Sequence, residues 1–212
     1  MSDSLMLYTD SNFISPYAMS VFVALAEKGA PFEMTPVDLG RGDQRAPGYV
    51  ELSLTGKVPA LVQGDFALAE SSAIIEYVDE AFQGPALYPR DARQRARARQ
   101  IQAWVRTDLA ALRQERSSDI LFSRPSQPLP PLTPAASQAA EKLLSVAGRL
   151  VPPTGKHLFG AWCIADFELA FMLNRLVSGG DSVPRRLVDY VHEQWGRSSV
   201  QRWVGFHERQ QA

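Results

Sequence analysis

A serine followed by a proline stands where a short apolar run gives way to a helical pattern. Proline is favoured at the first position of a helix, because its missing N–H would have no partner there. Ser15, which precedes Pro16, is therefore predicted to be the N-cap of that helix. A hydroxyl at an N-cap can donate to an anion, while the first-turn amides and the helix dipole favour a thiolate over a thiol. Capping alone, which stabilises a helix by about 1 kcal/mol, is the alternative role.

A second polar pair, Glu70-Ser71, lies where a predicted strand gives way to another helix. Ser71 can cap that helix and present its hydroxyl and amide to a carboxylate. Glu70 can accept from an α-amino group. The alternatives are capping alone for Ser71 and a solvated surface acid for Glu70.

The Val58-Pro59 bond is a candidate for a sharp chain turn, because a prolyl bond adopts the cis form at small cost. An ordinary strand-edge proline is the alternative. The neighbouring Gly56-Lys57 also suggests a phosphate-binding loop. That loop needs a glycine where Glu51 stands and a Ser or Thr where Val58 stands, so the phosphate-binding interpretation fails.

The elements that must position these residues follow from apolar periodicity and from turn residues. Strands are predicted at 5–9, 32–37, 58–62 and 66–69, and helices at 16–28 and 71–82, with a variable segment at 39–57. Pro36 places the second strand at a sheet edge. After Gly84-Pro85 only helices are predicted, at 90–116, 134–150, 164–177, 183–193 and 198–207. Residues 123–134 contain five prolines and are predicted to be a loop.

The pattern predicts an α/β domain over residues 1–82, a linker at 83–90 and an all-helical domain over 91–212. The 212 residues are 45% hydrophobic and 21% charged, which is typical of a soluble globular protein. No apolar run reaches about 18 residues, and no basic segment precedes an apolar stretch in the first ten residues, so we expect neither a membrane span nor a secretory signal. A cytoplasmic location is the resulting expectation.

Charge is divided unevenly along the chain. Residues 1–82 carry 4 basic and 12 acidic side chains, whereas residues 83–212 carry 18 and 11, so the net charges are −8 and +7. The arginines of the basic part are scattered over helical patterns without interleaved aromatics, and nucleic-acid binding is therefore not expected. Two oppositely charged domains that attract each other, within a chain or between chains, are the simpler interpretation.

Metal chemistry is not predicted. Cys163 is the single cysteine, so it can form neither an internal disulfide nor a multi-cysteine site. The three histidines, His157, His192 and His207, have no metal-ligand spacing. Cys163 lies beside Trp162 and Ile164 at an apolar helix start, where a cysteine is expected to be buried and inert rather than nucleophilic.

The β-α-β-β-β-α order resembles the thioredoxin-like fold as used by the cytosolic glutathione transferases. Four segments, in the order and at the spacing of that family, carry the resemblance, which covers essentially the whole chain: Ser15-Pro16-Tyr17 with the helix end at 24–29, Gly56 to Leu61, Glu70 to Tyr77, and Phe159 to Leu169. The sequence is most similar to bacterial serine-type members with a Ser-Pro-Tyr active-site turn.

The resemblance implies a transferase that conjugates the thiolate of glutathione, its co-substrate, to small hydrophobic electrophiles. Ser15 would be catalytic and Pro59 would be the family's cis-proline. The backbone of Val58 would pair with the cysteinyl part of glutathione. The remaining binding residues would hold the two ends of the peptide: Lys57 and Arg45 the glycyl carboxylate, Glu70 and Ser71 the γ-glutamyl group.

Further expectations concern the helical domain and assembly. Four residues are candidates for the electrophile pocket: Trp104, Arg106, Arg113 and Phe122. The resemblance also implies a homodimer in which the N-terminal domain of one subunit meets the C-terminal domain of the other. A peroxidase or isomerase using the same site, and a non-catalytic glutathione-binding or interaction protein, remain as alternatives. A thiol-disulfide reductase is disfavoured, because Ser15 stands where such proteins have cysteine.

Two local questions stay open within the resemblance. Other transferase classes use a tyrosine at the end of the first strand, but Tyr8 lies seven residues before Ser15 and is predicted to be a packing residue. Ser11 and Asn12 are secondary candidates for the hydroxyl's role. Cys163 stands where the family has a Ser or Thr capping residue, and Asp166 is predicted to reach back to the backbone N–H of Cys163.

Overall fold

The computed structural model describes residues 4–123, 127–153 and 156–211. By their contacts the described residues fall into two compact units, one comprising 4–87 and 198–211 and the other 88–197. The division predicted from the sequence ended the first domain at residue 82 and assigned the last helix to the second. Residues 124–126, within the predicted proline-rich loop, lie outside the described part of the chain.

The first unit is built on a four-stranded mixed sheet. Its strands are β1 (Leu5–Asp10), β2 (Phe32–Val37), β3 (Ala60–Gln63) and β4 (Phe66–Ala69), and its first helices are α1 (Pro16–Lys28), α2 (Pro47–Leu52) and α3 (Ser71–Ala81). The strand order is β2-β1-β3-β4. β1 runs parallel to β2 and antiparallel to β3, which is antiparallel to β4. The predicted thioredoxin-like fold is confirmed, and Pro36 lies on an edge strand as expected.

The segment at 39–57 holds two short helices that the sequence pattern did not predict. A 3-10 turn spans Asp43–Arg45, and α2 follows after Ala46. Six residues including Gly48 are too few to establish a helical period, and Tyr49 is the one buried side chain of α2.

The second unit is helical throughout its regular elements. It contains α4 (Ala92–Thr107), α5 (Ala110–Glu115), a 3-10 turn (Ser118–Leu121), α6 (Pro134–Leu150), α7 (Ile164–Gly179) and α8 (Arg185–Trp195). Every residue of α7 from Ile164 to Leu176 is buried, so this helix forms the centre of the unit. No helix in the described residues is both long and apolar enough to cross a membrane.

The prediction of a single long helix at 90–116 is wrong, because α4 ends at Thr107 and a separate helix, α5, begins at Ala110. Leu109 adopts a left-handed conformation with φ 61°, which an α-helix does not accommodate. The Arg113 guanidinium donates to the backbone oxygens of Val105, at 3.1 Å, and of Asp108. These bonds satisfy the carbonyls left open at the end of α4. A periodic sequence pattern continues through such a break, which explains the error.

Asp166 closes the start of α7 as predicted. Its carboxylate accepts from the backbone N–H of Cys163 at 2.9 Å and of Leu158 at 2.8 Å. The Tyr190 hydroxyl adds a third bond at 2.9 Å. Burial raises the pKa of Asp166 above its ordinary value, and these donors act against that rise.

The last helix, α9 (Ser198–Gln211), packs against α1 within the first unit. Its buried residues are Ser199, Val200, Trp203 and His207. The Trp203 ring lies 5.3 Å from that of Phe22 on α1. Residues far apart in the sequence therefore share one core.

Candidate functional site

The strand register gathers the candidate residues of the first unit at one end of the sheet. Tyr8 of β1 pairs with Ala60 of β3, and Ala60 pairs with Ala69 of β4. The end of β1, the start of β3 and the end of β4 thus lie side by side, with about 4.8 Å between neighbouring strands. Ser15 follows the first of these points, Val58-Pro59 precedes the second, and Glu70-Ser71 follows the third.

Ser15 is the N-cap of α1, as predicted, and Pro16 is the first helical residue. The backbone at Ser15 is extended, with φ −67° and ψ 119°, and its Oγ accepts from the N–H of Ala18 at 3.3 Å. The side chain is partly accessible, whereas most of α1 is buried. The hydroxyl therefore lies at the positive end of the α1 dipole.

Asp10, which the sequence did not single out, orders the loop that leads to Ser15. Its carboxylate accepts from the N–H of Ile14 at 2.8 Å and from that of Ser15 at 3.1 Å. The side chain is buried at the end of β1, and this burial raises its pKa, while the two amides lower it. An acid at the end of a strand gives no sequence signal of such a loop contact.

The Val58-Pro59 peptide bond is cis. The segment before this bond is held by Tyr49 of α2 and by Ser53, the C-cap of α2. The hydroxyls of Tyr49 and Ser53 both donate to the backbone oxygen of Lys57, at 2.8 and 2.9 Å. Ser53 Oγ also accepts from the Lys57 N–H at 3.2 Å. Burial raises the pKa of Tyr49 to about 12, so this hydroxyl keeps its proton at neutral pH and donates.

The side chains of Lys57 and Arg45 are both exposed. Gly56, at φ 60°, is next to the turn that carries Arg45, because a Cβ at Gly56 would lie 3.6 Å from the Gln44 carbonyl oxygen. Two cationic side chains, Lys57 and Arg45, are thus on adjoining segments.

The position of Ser71 at the start of α3 differs from the prediction that it caps this helix. Glu70, not Ser71, is the N-cap of α3, with no side-chain capping bond, and it adopts φ 70°, which is uncommon for any residue except glycine. Ser71 is the first helical residue and is buried. The predicted capping role of Ser71 is therefore wrong. In an α-helix the first N–H groups have no acceptor within the helix, and Glu70, which immediately precedes those of α3, is exposed.

Tyr8 is a packing residue in the structure. Its ring makes an edge contact with that of Tyr49, with centroids 5.7 Å apart, and it packs on the buried cluster of Val37, Tyr49 and Ala60. Of the secondary candidates, Asn12 is exposed and Ser11 is partly buried.

The four candidates for an electrophile pocket have separate surroundings in the second unit. Trp104 lines a cavity of about 220 Å³ formed by residues of α4 and α6. The other lining residues are the apolar Ile101, Val146 and Leu150 and the polar Arg97 and Gln100. The Trp104 indole N–H donates to Asp108 at 3.1 Å. Arg113 closes the end of α4, as described above.

Arg106 and Phe122 make other contacts. Arg106 forms an ion pair with Glu168 of α7 at 2.5 Å, where both side chains are largely buried. Phe122 lies against Trp195, with ring centroids 6.0 Å apart. The guanidinium groups of Arg106 and Arg113 thus bond to groups within the helical unit, and the assignment of the four candidates to an electrophile pocket stays a prediction.

Two other chemistries find little support in the described residues. No group of three or more His, Cys, Asp or Glu side chains there is arranged to hold a metal ion. Cys163 is buried, and burial raises the pKa of its thiol above the usual range. A thiol in that state is a poor nucleophile.

Known proteins resemble this chain along its length. Residues 14–81 match the family model of the glutathione S-transferase N-terminal domain, and residues 91–209 match that of the C-terminal domain. A crystal structure of a glutathione transferase homolog from Burkholderia GL BGR1, with bound glutathione, is 44% identical and has a TM-score of 0.81. That similarity covers 97% of this chain and 99% of the other.

Curated relatives match over shorter segments. Glutathione S-transferase F9 of Arabidopsis thaliana is 40% identical over 96 residues, which make up 44% of this chain and 42% of that protein. Maleylacetoacetate isomerase of Pseudomonas aeruginosa is 42% identical over 109 residues, 50% of each chain. These matches therefore span half of the curated relatives' length or less.

Proposed function

Because the chain belongs to the glutathione S-transferase family, we propose that it binds glutathione and conjugates its thiolate to small hydrophobic electrophiles. The observation that carries this proposal is the grouping of Ser15, the cis Val58-Pro59 bond and the Glu70-Ser71 turn at one end of the sheet. The bacterial serine-type transferases, with a Ser-Pro-Tyr active-site turn, are the subclass we assign.

The arrangement suits an extended peptide. The three points lie at adjacent ends of neighbouring strands, and a ligand crossing them covers about 10 Å, the reach of three extended residues. The γ-glutamyl end carries an amine and a carboxylate, which match the Glu70 carboxylate and the first amides of α3. The Val58 backbone pairs with the cysteinyl unit, and Lys57 and Arg45 attract the glycyl carboxylate.

Ser15 is the group proposed to activate the thiol. A free thiol with a pKa of about 8.5 is only a few per cent ionised at pH 7. Lowering this pKa by about two units would make most of it thiolate, and that shift corresponds to about 2.7 kcal/mol. A hydroxyl at the N-terminal end of α1, where the helix dipole favours negative charge, is the proposed source of that stabilisation.

The electrophile is assigned to the helical unit, where the cavity beside Trp104 offers apolar contact. We also propose a two-fold homodimer, in which the acidic first part of one chain meets the basic second part of its partner.

Isomerisation with glutathione is the second candidate function. It is favoured by the 42% identity to maleylacetoacetate isomerase over half of the chain. In such a reaction the thiolate adds to a conjugated double bond and leaves again, so the same activation of glutathione is needed and no thioether product accumulates.

Three measurements on the purified protein test these proposals. Retention on immobilised glutathione tests the binding site. Conjugation of a generic chloronitroaromatic tests transferase activity, and conversion of a cis-configured conjugated diketo acid, with glutathione regenerated, tests isomerase activity. Binding without either reaction would instead indicate a glutathione-binding protein, and absence of binding would contradict the proposal altogether.

A further inference from the structure

The loop between β1 and Ser15 is bonded to the last helix of the chain. The Trp203 indole N–H donates to the carbonyl oxygen of Phe13 at 2.8 Å. His207 Nδ1 lies 2.8 Å from the carbonyl oxygen of Asn12 and must donate there, because a carbonyl only accepts. Both side chains are buried, so these bonds are not exchanged with water at the surface.

The backbone conformation of Phe13 shows why the loop needs these two bonding residues, Trp203 and His207, which act as its anchors. Phe13 adopts φ 53°, a left-handed conformation that is uncommon for an aromatic residue. Its ring lies 5.4 Å from the rings of both Trp203 and Phe206. A residue in a rarely populated conformation persists only where its surroundings fix it, and here α9 supplies the packing and the hydrogen bond.

The loop is fixed from both sides. The Asp10 carboxylate accepts from the N–H groups of Ile14 and Ser15. On the other side, Trp203 and His207 of α9 donate to the carbonyl oxygens of Phe13 and Asn12. The four consecutive residues from Asn12 to Ser15 end at the N-cap itself, so their placement determines where the Ser15 hydroxyl lies.

We propose that Trp203 and His207 are positioning residues for the thiol chemistry: α9 holds the 12–15 loop so that the Ser15 hydroxyl meets the glutathione sulfur. This inference rests on the proposed function, in which Ser15 stabilises the thiolate. A hydrogen bond weakens steeply with misplacement, and shifts of about 1 Å change catalytic rates substantially. The anchors stand some 190 residues from the loop they hold, as the hydrogen bonds show.

The central experiment compares Trp203→Phe with the unaltered protein. The variant keeps an aromatic ring and removes the N–H donor. We expect the apparent pKa of bound glutathione to rise by about half a unit, and turnover at neutral pH to fall about threefold. The turnover loss should disappear at high pH, and the Michaelis constant for glutathione should change little. His207→Phe removes the second anchor and is expected to act in the same direction.

A destabilised protein must be distinguished from a misplaced hydroxyl. Leu143→Ala, in the buried face of α6 in the other unit, is the matched control, because it lowers stability without touching the loop. It should leave the thiol pKa unchanged. A rise in Leu143→Ala equal to that in Trp203→Phe would overturn the proposal.

The double variant with Ser15→Ala separates the possible failures. If α9 acts through the hydroxyl, Trp203→Phe adds nothing to the pKa shift in the Ser15→Ala background. A full additive shift there, or no shift from either anchor variant alone, would refute the positioning role while leaving the proposed function intact. If Ser15→Ala alone leaves the pKa unmoved, the assignment of Ser15 fails and the positioning role fails with it. Should Trp203→Phe not fold, His207→Phe provides the same test.

Discussion

The Ser15 hydroxyl has one proton and two lone pairs, and capping uses only a lone pair. Oγ accepts from the Ala18 N–H, which leaves the proton to be donated to another group. Capping and thiolate binding, which were alternatives in the sequence, are therefore compatible in one side chain. The same geometry explains why a serine suits this place, since alanine would lose the capping bond and the proposed donor to the thiolate.

Replacement of that hydroxyl is the first prediction. Ser15→Ala should retain the fold and most of the affinity for glutathione, and it should lose about tenfold to a hundredfold in rate at neutral pH. The loss is smaller than for an oxyanion donor, because charge on sulfur is diffuse. The rate should recover in part at high pH, where thiolate forms unaided. Absorbance of the bound thiolate, titrated against pH, measures the shift in pKa.

Tyr8→Phe is the matched control for this titration. Tyr8 packs against Tyr49, so removal of its hydroxyl should leave the thiol pKa in place. The opposite pattern, a pKa raised by Tyr8→Phe and unchanged by Ser15→Ala, would transfer the catalytic role to Tyr8.

The second prediction concerns the residues assigned to the ends of glutathione. Lys57→Ala and Glu70→Ala should raise the Michaelis constant for glutathione about threefold to tenfold, with turnover nearly unchanged, because both groups are proposed to contact the ends of glutathione, away from the sulfur. Steady-state kinetics with varied glutathione checks this. A tenfold loss of turnover at an unchanged Michaelis constant would show that the assignment is wrong.

At the scale of elements, α2 supports the segment that is proposed to bind glutathione. Tyr49 lies on α2 and Ser53 ends it, and both donate to the Lys57 carbonyl. The backbone of Lys57 and Val58 thus depends on a helix of six residues.

A third prediction follows from this support. Tyr49→Phe removes one of the two donors and should cost about 1 kcal/mol in the free energy of unfolding. It should also raise the Michaelis constant for glutathione about twofold to fivefold, because the segment that pairs with the cysteinyl unit loosens. Denaturant unfolding and steady-state kinetics measure the two effects. An unchanged Michaelis constant despite the stability loss would exclude α2 from substrate binding.

The junction of α5 with α6 gives a fourth prediction, on pH. Glu115 accepts from the N–H and Oγ of Thr133, the N-cap of α6, and these bonds hold the pKa of Glu115 below its ordinary value. A group whose pKa is lowered in the folded state stabilises the fold at pH values above its ordinary pKa. This stabilisation is lost as the pH falls towards the lowered pKa. Glu115→Gln should therefore flatten the acid limb of the unfolding free energy, relative to a control at the exposed Glu141.

The elements also show where the sequence is informative. α1 and α6 begin at a Ser-Pro and a Thr-Pro pair, and such local signals gave the correct bounds. The break at Leu109 and the anchors Trp203 and His207 depend on contacts between distant residues, which leave no local pattern. Candidate site residues next to strand ends could be proposed from local patterns, whereas Asp10, Tyr49 and Ser53 act through bonds to backbone atoms, which leave no local pattern.

For the whole molecule, the opposite net charges of the two parts of the chain lead to a fifth prediction. Residues 1–82 carry −8 and residues 83–212 carry +7, so a dimer that pairs unlike parts should weaken as salt screens the attraction. Sedimentation at micromolar concentration should show dimers at low salt and partial dissociation at high salt. A monomer at low salt would contradict the proposed assembly.

The reactivity of the Cys163 thiol can report how often the helical unit opens. Cys163 is the single thiol in the chain, it is 1% exposed at the start of the central helix α7, and burial keeps it protonated. An alkylating reagent should thus modify it only during excursions that uncover the core of the helical unit. Because one cysteine gives one mass step, intact-mass spectra over time would follow these openings without any introduced label, and they give the opening rate when alkylation is faster than reclosing.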